Sequence, residues 1–181
     1  MATVDVNIDS ATRDLEIDQA DYGGDTTLSV NVGLLGSLTR LNIANPTGTS
    51  DELELKLVND SIMNYQPSPY VLELQSGANV ALSSMSGPDS VDMQGMIVQV
   101  SENSTLRFTP EMASTAPSNL DIRVYTNSKF IYDTTGVTID HSDPAFLLHL
   151  QPGAEFQVMG ASTYEYADGK LSFKDAQGQT V

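Results

Sequence analysis

Two histidines, His141 and His149, stand eight residues apart, with Asp140, Asp143 and Glu155 close by in the chain. Imidazole nitrogens and carboxylate oxygens are ordinary metal ligands, so this segment is the first place to look for a metal centre. His149, however, sits between Leu148 and Leu150. A histidine in an apolar run reads more simply as a strand residue with a satisfied ring nitrogen. A second cluster, Asp14, Glu16, Asp18, Asp21 and Asp25, flanks Gly23-Gly24. Several oxygens together suit a hard cation such as Ca²⁺ or Na⁺. The EF-hand loop pattern is missing, and a solvated acidic edge is the simpler reading. With 24 carboxylates in 181 residues, no spacing singles out a general acid and base.

The segment from His149 through Pro152-Gly153 and Glu155 to Gly160 resembles part of a cupin metal motif. That motif carries a histidine pair one residue apart before the glutamate, and position 147 here is Leu147. The main ligand pair is missing. Ser83-Ser84-Met85-Ser86-Gly87 is not a G-x-S-x-G elbow, and no α/β pattern surrounds it. No P-loop and no G-x-G-x-x-G occurs. The expectation is no catalytic residue, no cofactor site and no metal site.

Composition narrows the class. Twenty-four acids face 8 Lys and Arg, a formal net charge of −16, and only Lys56, Lys129, Lys170 and Lys174 are lysines. Self-repulsion on this scale destabilises a compact state in dilute buffer, and molar salt screens it. The balance therefore predicts a protein of a highly saline medium. Direct nucleic-acid binding needs clustered Lys and Arg, which the chain does not have. Hydrophobic residues make up 40% of it, in regular short runs, which argues against disorder. There is no cysteine, hence no disulfide, thiolate ligand or thiol nucleophile. The segment MATVDVNIDS lacks the basic and apolar regions of a Sec-type signal, and no run of about 18 apolar residues exists. Two N-x-S/T sequons, beginning at Asn59 and Asn103, are expected to be chance.

The elements that would position these residues are strands. Val4-Val6-Ile8, Leu28-Val30-Val32, Leu53-Leu55-Leu57, Tyr70-Leu72-Leu74, Met96-Val98-Val100 and Leu120-Ile122-Val124 alternate with polar residues. Period two predicts half-buried strands. Shorter candidates are 41–43, 106–108, 130–132, 137–139, 156–158, 163–166 and 171–173. Gly23-Gly24, Asn45-Pro46, Gly87-Pro88, Asn127-Ser128, Pro152-Gly153 and Asp168-Gly169 punctuate them. Asp168-Gly169 is the best hairpin signal, and Asn127-Ser128 a second. Helix is confined to a turn or two at 34–38, 61–65 and 110–117. No strong internal repeat is visible. Evenly spaced strands predict an all-β fold, a single jelly-roll β-sandwich or barrel with very little helix, as one domain over residues 1–181.

An acidic, cysteine-free, all-β chain of this length resembles the small major capsid proteins of tailless icosahedral viruses of halophilic archaea. The resemblance implies a non-enzymatic single jelly roll. It would assemble in the host cytoplasm with its own copies and a larger partner into pseudo-hexameric capsomers of the virion shell, near an internal membrane. It implies no small-molecule substrate. Arg107 and Glu111, on either side of Pro110, are the expected subunit-contact residues. The alternative is a cupin-like barrel with a pocket lined by His149 and Glu155.

Overall fold

The computed structural model describes residues 2–7, 12–23, 26–31, 38–58, 71–83, 96–109, 120–133, 135, 146–160, 163–167 and 170–174. In chain order the strands are β1 (Ala2–Asn7), β2 (Asp14–Asp18), β3 (Thr26–Asn31), β4 (Arg40–Ala44), β5 (Leu53–Val58), β6 (Val71–Gln75), β7 (Asn79–Ser83) and β8 (Ile97–Val100). There follow β9 (Thr105–Thr109), β10 (Leu120–Val124), β11 (Lys129–Asp133), β12 (Phe146–Leu150), β13 (Glu155–Met159), β14 (Thr163–Ala167) and β15 (Lys170–Lys174). The helical content among the described residues is one 3₁₀ turn, Gln19–Asp21, whose first free N–H, on Ala20, donates to the Asp18 side chain.

The all-β expectation holds, but the jelly-roll sandwich or barrel does not. Consecutive strands fall in different sheets. One sheet runs β1-β3-β5-β7-β9-β11-β13 and the other β14-β15-β12-β10-β8-β6-β4-β2. Every pair in the seven-stranded sheet is parallel, as is every pair from β2 to β12 in the other. A jelly roll is antiparallel. This chain is a parallel β-solenoid, in which each rung contributes one strand to each sheet.

The cause is where the alternating side chains go. Leu41, Leu72, Val98, Ile122 and Leu148 stack in register on successive strands. All five are fully buried. Facing them, Leu55, Leu82, Phe108 and Tyr132 form a second column, with the Phe108 and Tyr132 rings stacked at a centroid separation of 6.1 Å. Phe130 stacks on Phe156 at 5.6 Å in the neighbouring column. Burying each such side chain contributes about 1.5–3 kcal/mol. Parallel sheets are usually covered on both faces and read as unbroken apolar runs, whereas alternation suggests antiparallel pairing. Here the outer faces are open to solvent, so a parallel sheet shows the alternating pattern.

The repeat that was not visible is real. The steps from Leu41 to Leu72, Val98, Ile122 and Leu148 are 31, 26, 24 and 26 residues. Within a rung the sheet-to-sheet corner is tight, as at Ser76-Gly77, Glu102-Asn103, Thr126-Asn127 and Pro152-Gly153. Positive φ recurs there, at Ser76 (54°), Gly77 (77°), Glu102 (54°), Asn103 (64°), Asn127 (62°) and Gly153 (82°). The corners bond to one another, Gly77 N–H donating to Glu102 O at 2.8 Å and Asn127 N–H to Gly153 O at 3.1 Å. Asn127-Ser128 is thus a corner between two sheets and not a hairpin turn. The hairpin expected at Asp168-Gly169 has the flanking strands it needs, since β14 and β15 pair antiparallel with Ala167 opposite Lys170. The turn residues themselves lie outside the described residues, as do the expected strand at 137–139 and the expected helical turns at 61–65 and 110–117.

Candidate functional site

His149 lies on β12 with its side chain on the outer face of the eight-stranded sheet, 58% exposed. Its Nε2 is 3.5 Å from Asp121 Oδ1 on the neighbouring β10. The Asp121 carboxylate is held from its own strand by Arg123, whose Nη2 donates at 2.7 Å and whose Nε donates to both oxygens at 3.2 Å. Hydrogen bonding to Asp121, aided by its charge, holds the Arg123 guanidinium above its ordinary pKa. Glu155 belongs to β13 in the other sheet, where it pairs with Lys129 at 3.8 Å and is 71% exposed. The two residues expected to line a cupin-like pocket therefore sit on the outsides of different sheets. His141, Asp140 and Asp143 lie outside the described residues.

Asp14, Glu16, Asp18 and Asp21 of the acidic cluster lie on strand β2 and its exit, and Asp25 lies outside the described residues. Asp14 and Glu16 point outward along an exposed strand, while Asp18 caps the 3₁₀ turn. Asp14 and Glu16 border an open cleft of about 400 Å³ with Thr39, Arg40, Asn42 and Val71. Arg40 lies 3.7 Å from Glu73 across β4 and β6. Among the described residues, no group of three or more His, Cys, Asp or Glu is placed to hold a metal ion.

The densest charged cluster among the described residues is on the seven-stranded sheet, and no spacing in the sequence announces it. Arg107 on β9 reaches over Ala81, its small neighbour on β7, to Glu52 at the entrance of β5. Its Nε donates to Glu52 Oε2 at 3.0 Å, Nη2 to Glu52 Oε1, and Nη1 to Asp133 Oδ2 on β11 at 3.3 Å. One guanidinium thus ties together three rungs, those of β5, β9 and β11, and spans the β7 rung between the first two. Hydrogen bonding to Glu52 raises the Arg107 pKa against the opposing effect of partial burial. Burial pushes Asp133 up, but bonds from Thr135 and then Arg107 outweigh it, so the carboxyl titrates below its usual range. Next to it, burial pushes the Tyr132 hydroxyl up to about 12. Arg107, the expected subunit-contact residue, lies on β9 within the strand expected at 106–108, and its guanidinium pairs with carboxylates of its own chain. Glu111 lies outside the described residues.

Arg40, Lys56, Arg107, Arg123 and Lys129 all face carboxylates on their own sheets. The outer faces are therefore charge ladders, chemically suited to structural pairing and hydration. At the second sequon, Asn103 occupies an exposed corner while Ser104 is buried. The first sequon lies outside the described residues. Comparison with family models, with curated proteins and with solved structures found no match to this chain.

Proposed function

We propose that this chain is a structural subunit that works by assembling with copies of itself in a saline medium, and that it is not an enzyme. The observation supporting this is the seven-stranded sheet, parallel throughout, in which β1 and β13 are the end strands among the described residues. An unpaired strand edge is a template for another chain. The net charge of −16 opposes such contacts in dilute buffer and is screened in molar salt. Upright jelly-roll subunits in capsomers are not carried forward, because that picture needed an antiparallel sandwich. The same correction removes the cupin-like pocket.

Electron microscopy and sedimentation of the purified protein at 0.1 M and 3 M NaCl test the reading. Regular arrays or elongated particles that grow with salt are the expected outcome. A strictly monomeric protein at both salt concentrations overturns it. Closed shells would return a capsid role with a different building block.

A further inference from the structure

The two sheets do not start level. The register carries the β6–β7 rung down to β2 and β3, through Leu72-Leu41-Leu15 on one side and Leu82-Leu55-Leu28 on the other. Strand β1 therefore stands one step below the β2–β3 rung, and among the described residues no strand faces it across the core. Its exposure follows. Ala2, Thr3, Val4 and Asp5 are exposed, and Val4 is 38% exposed where Leu28, next in the same column, is fully buried. We infer that two copies join at this end about a two-fold axis, the β1 of each filling the step beneath the other's β2. This rests on the assembly reading above and names its contact.

Direction fits first. The chain runs one way along the seven-stranded sheet and back along the other. A two-fold axis parallel to the strands then sets β1 antiparallel to the second copy's β2, and the reverse pair likewise. Both sheets continue from copy to copy, and the two exposed Val4 side chains meet across the core. Backbone pairing fits next. In β2 the positions in step with Leu15 bond to β4, Arg40 N–H donating to Arg13 O at 3.1 Å. In the seven-stranded sheet the positions in step with Val4 bond to the following strand, as Thr105 N–H does to Ala78 O at 2.7 Å. The outward residues, Thr3 and Asp5 on β1 and Asp14 and Glu16 on β2, thus turn their N–H and C=O groups to the outer edge. Val4 and Leu15 belong to facing columns, since Leu82 and Leu72 flank the corner at 76–78 symmetrically. The two-fold therefore sets Val4 beside the second copy's Leu15, Thr3 beside Glu16 and Asp5 beside Asp14. Each outward pair can exchange two backbone bonds. Asp5 opposite Asp14 is a like-charge pair, unfavourable in dilute buffer and screened in molar salt. The joint is isologous and closes on a dimer, so a larger array needs a second contact elsewhere.

The chain has no cysteine, so introduced thiols report on this joint alone. Thr3 and Glu16 are exposed on the outer faces of different sheets. Packed sheets lie about 10 Å apart, so no disulfide bridges these two positions within one copy. Across the joint their Cα atoms stand about 5.5 Å apart, inside the range of about 4.4–6.8 Å that a disulfide accepts. The full-length double variant Thr3→Cys/Glu16→Cys, oxidised in 3 M NaCl, is expected to give a covalent dimer and nothing larger on a non-reducing gel. A mixture of the two single variants should give the mixed dimer. Neither single variant should link to itself, because its two thiols lie on opposite faces of the dimer. Circular dichroism checks that each variant folds. Asp5→Lys turns each like-charge pair into an opposite one. In sedimentation at 0.1 M NaCl it should raise dimer association about tenfold, which is about 1.4 kcal/mol. If the wild type assembles but the double variant stays unlinked, this joint is wrong and the assembly reading stands. A ladder of covalent multimers in place of the dimer would also overturn it. If the wild type is monomeric in molar salt, both fall.

Discussion

At the scale of single residues, the informative group is Arg107 with Glu52 and Asp133. Exposed pairs contribute about 0–1 kcal/mol each, and a forked network reaches the top of that range. Arg107→Leu is expected to lower stability by about 1 kcal/mol in dilute buffer and by less in 3 M NaCl, where mobile ions replace the lost partner. Urea unfolding of both proteins at the two salt concentrations checks this, and an effect that does not shrink with salt would point to lost packing instead. Asp133 titrates lower in the fold than in the unfolded chain. Its contribution is therefore present above the unfolded value, near 3.9, and is lost as pH falls through the folded pKa. Acid unfolding of Asp133→Asn should show a weaker dependence on pH in that window. Tyr132 has the opposite sign. Its pKa is raised to about 12, so its contribution is complete below about 10 and is lost as pH climbs from there. Tyr132→Phe should flatten the alkaline limb of the stability profile. Neither titration was legible in the sequence, because nothing in the spacing of residues 52, 107 and 133 announces that the chain returns to one face.

Elements were more legible than their arrangement. Leu53-Leu55-Leu57 and Leu120-Ile122-Val124 became strands with those residues buried. Two strands were missed. β7 has Ala81 where an outward polar residue belongs, giving Val80-Ala81-Leu82 as an unbroken apolar run. In β2 the acids hid Leu15 and Ile17, and the segment read as a solvated edge. Strand direction stayed hidden because alternation reports only that one face is wet. Corner chemistry misled in the same way, since Asn127 supplies the positive φ that a tight hairpin also requires. Gly153 offers a test of those corners. Its φ is +82°, and a Cβ there would meet Thr126 Cγ2 at 3.3 Å. Gly153→Ala should cost about 1–2 kcal/mol, the penalty of the left-handed region, with the midpoint of thermal unfolding as the readout.

For the whole molecule, charge and stacking act together. Repulsion among 24 carboxylates is screened by salt, so the thermal midpoint should rise between 0.1 and 3 M NaCl, with KCl run alongside to separate screening from specific Na⁺ binding. A midpoint that is flat or falls across the series would contradict the saline reading. The unequal rung lengths explain why the repeat escaped notice. A step of 31 residues between β4 and β6 against 24 between β8 and β10 defeats any search at a fixed period, although the strands superimpose in register. What the sequence does hold, from β6 onward, is the alternation of a three- or four-residue corner with a longer return.

The hairpin at the end of the eight-stranded sheet carries one more consequence. β14 and β15 share five residue pairs with each other, whereas among the described residues the backbone pairing of β15 with β12 is the single pair Leu147↔Lys170. Rungs of a stacked protein unfold cooperatively to the extent that neighbours share an interface. So slight a junction separates the hairpin from the cooperative unit beneath it. In native-state amide exchange, the N–H groups of 163–167 and 170–174 should open at far lower free energy than those of β8 to β11. They should do so with little dependence on denaturant, because such local opening exposes little surface.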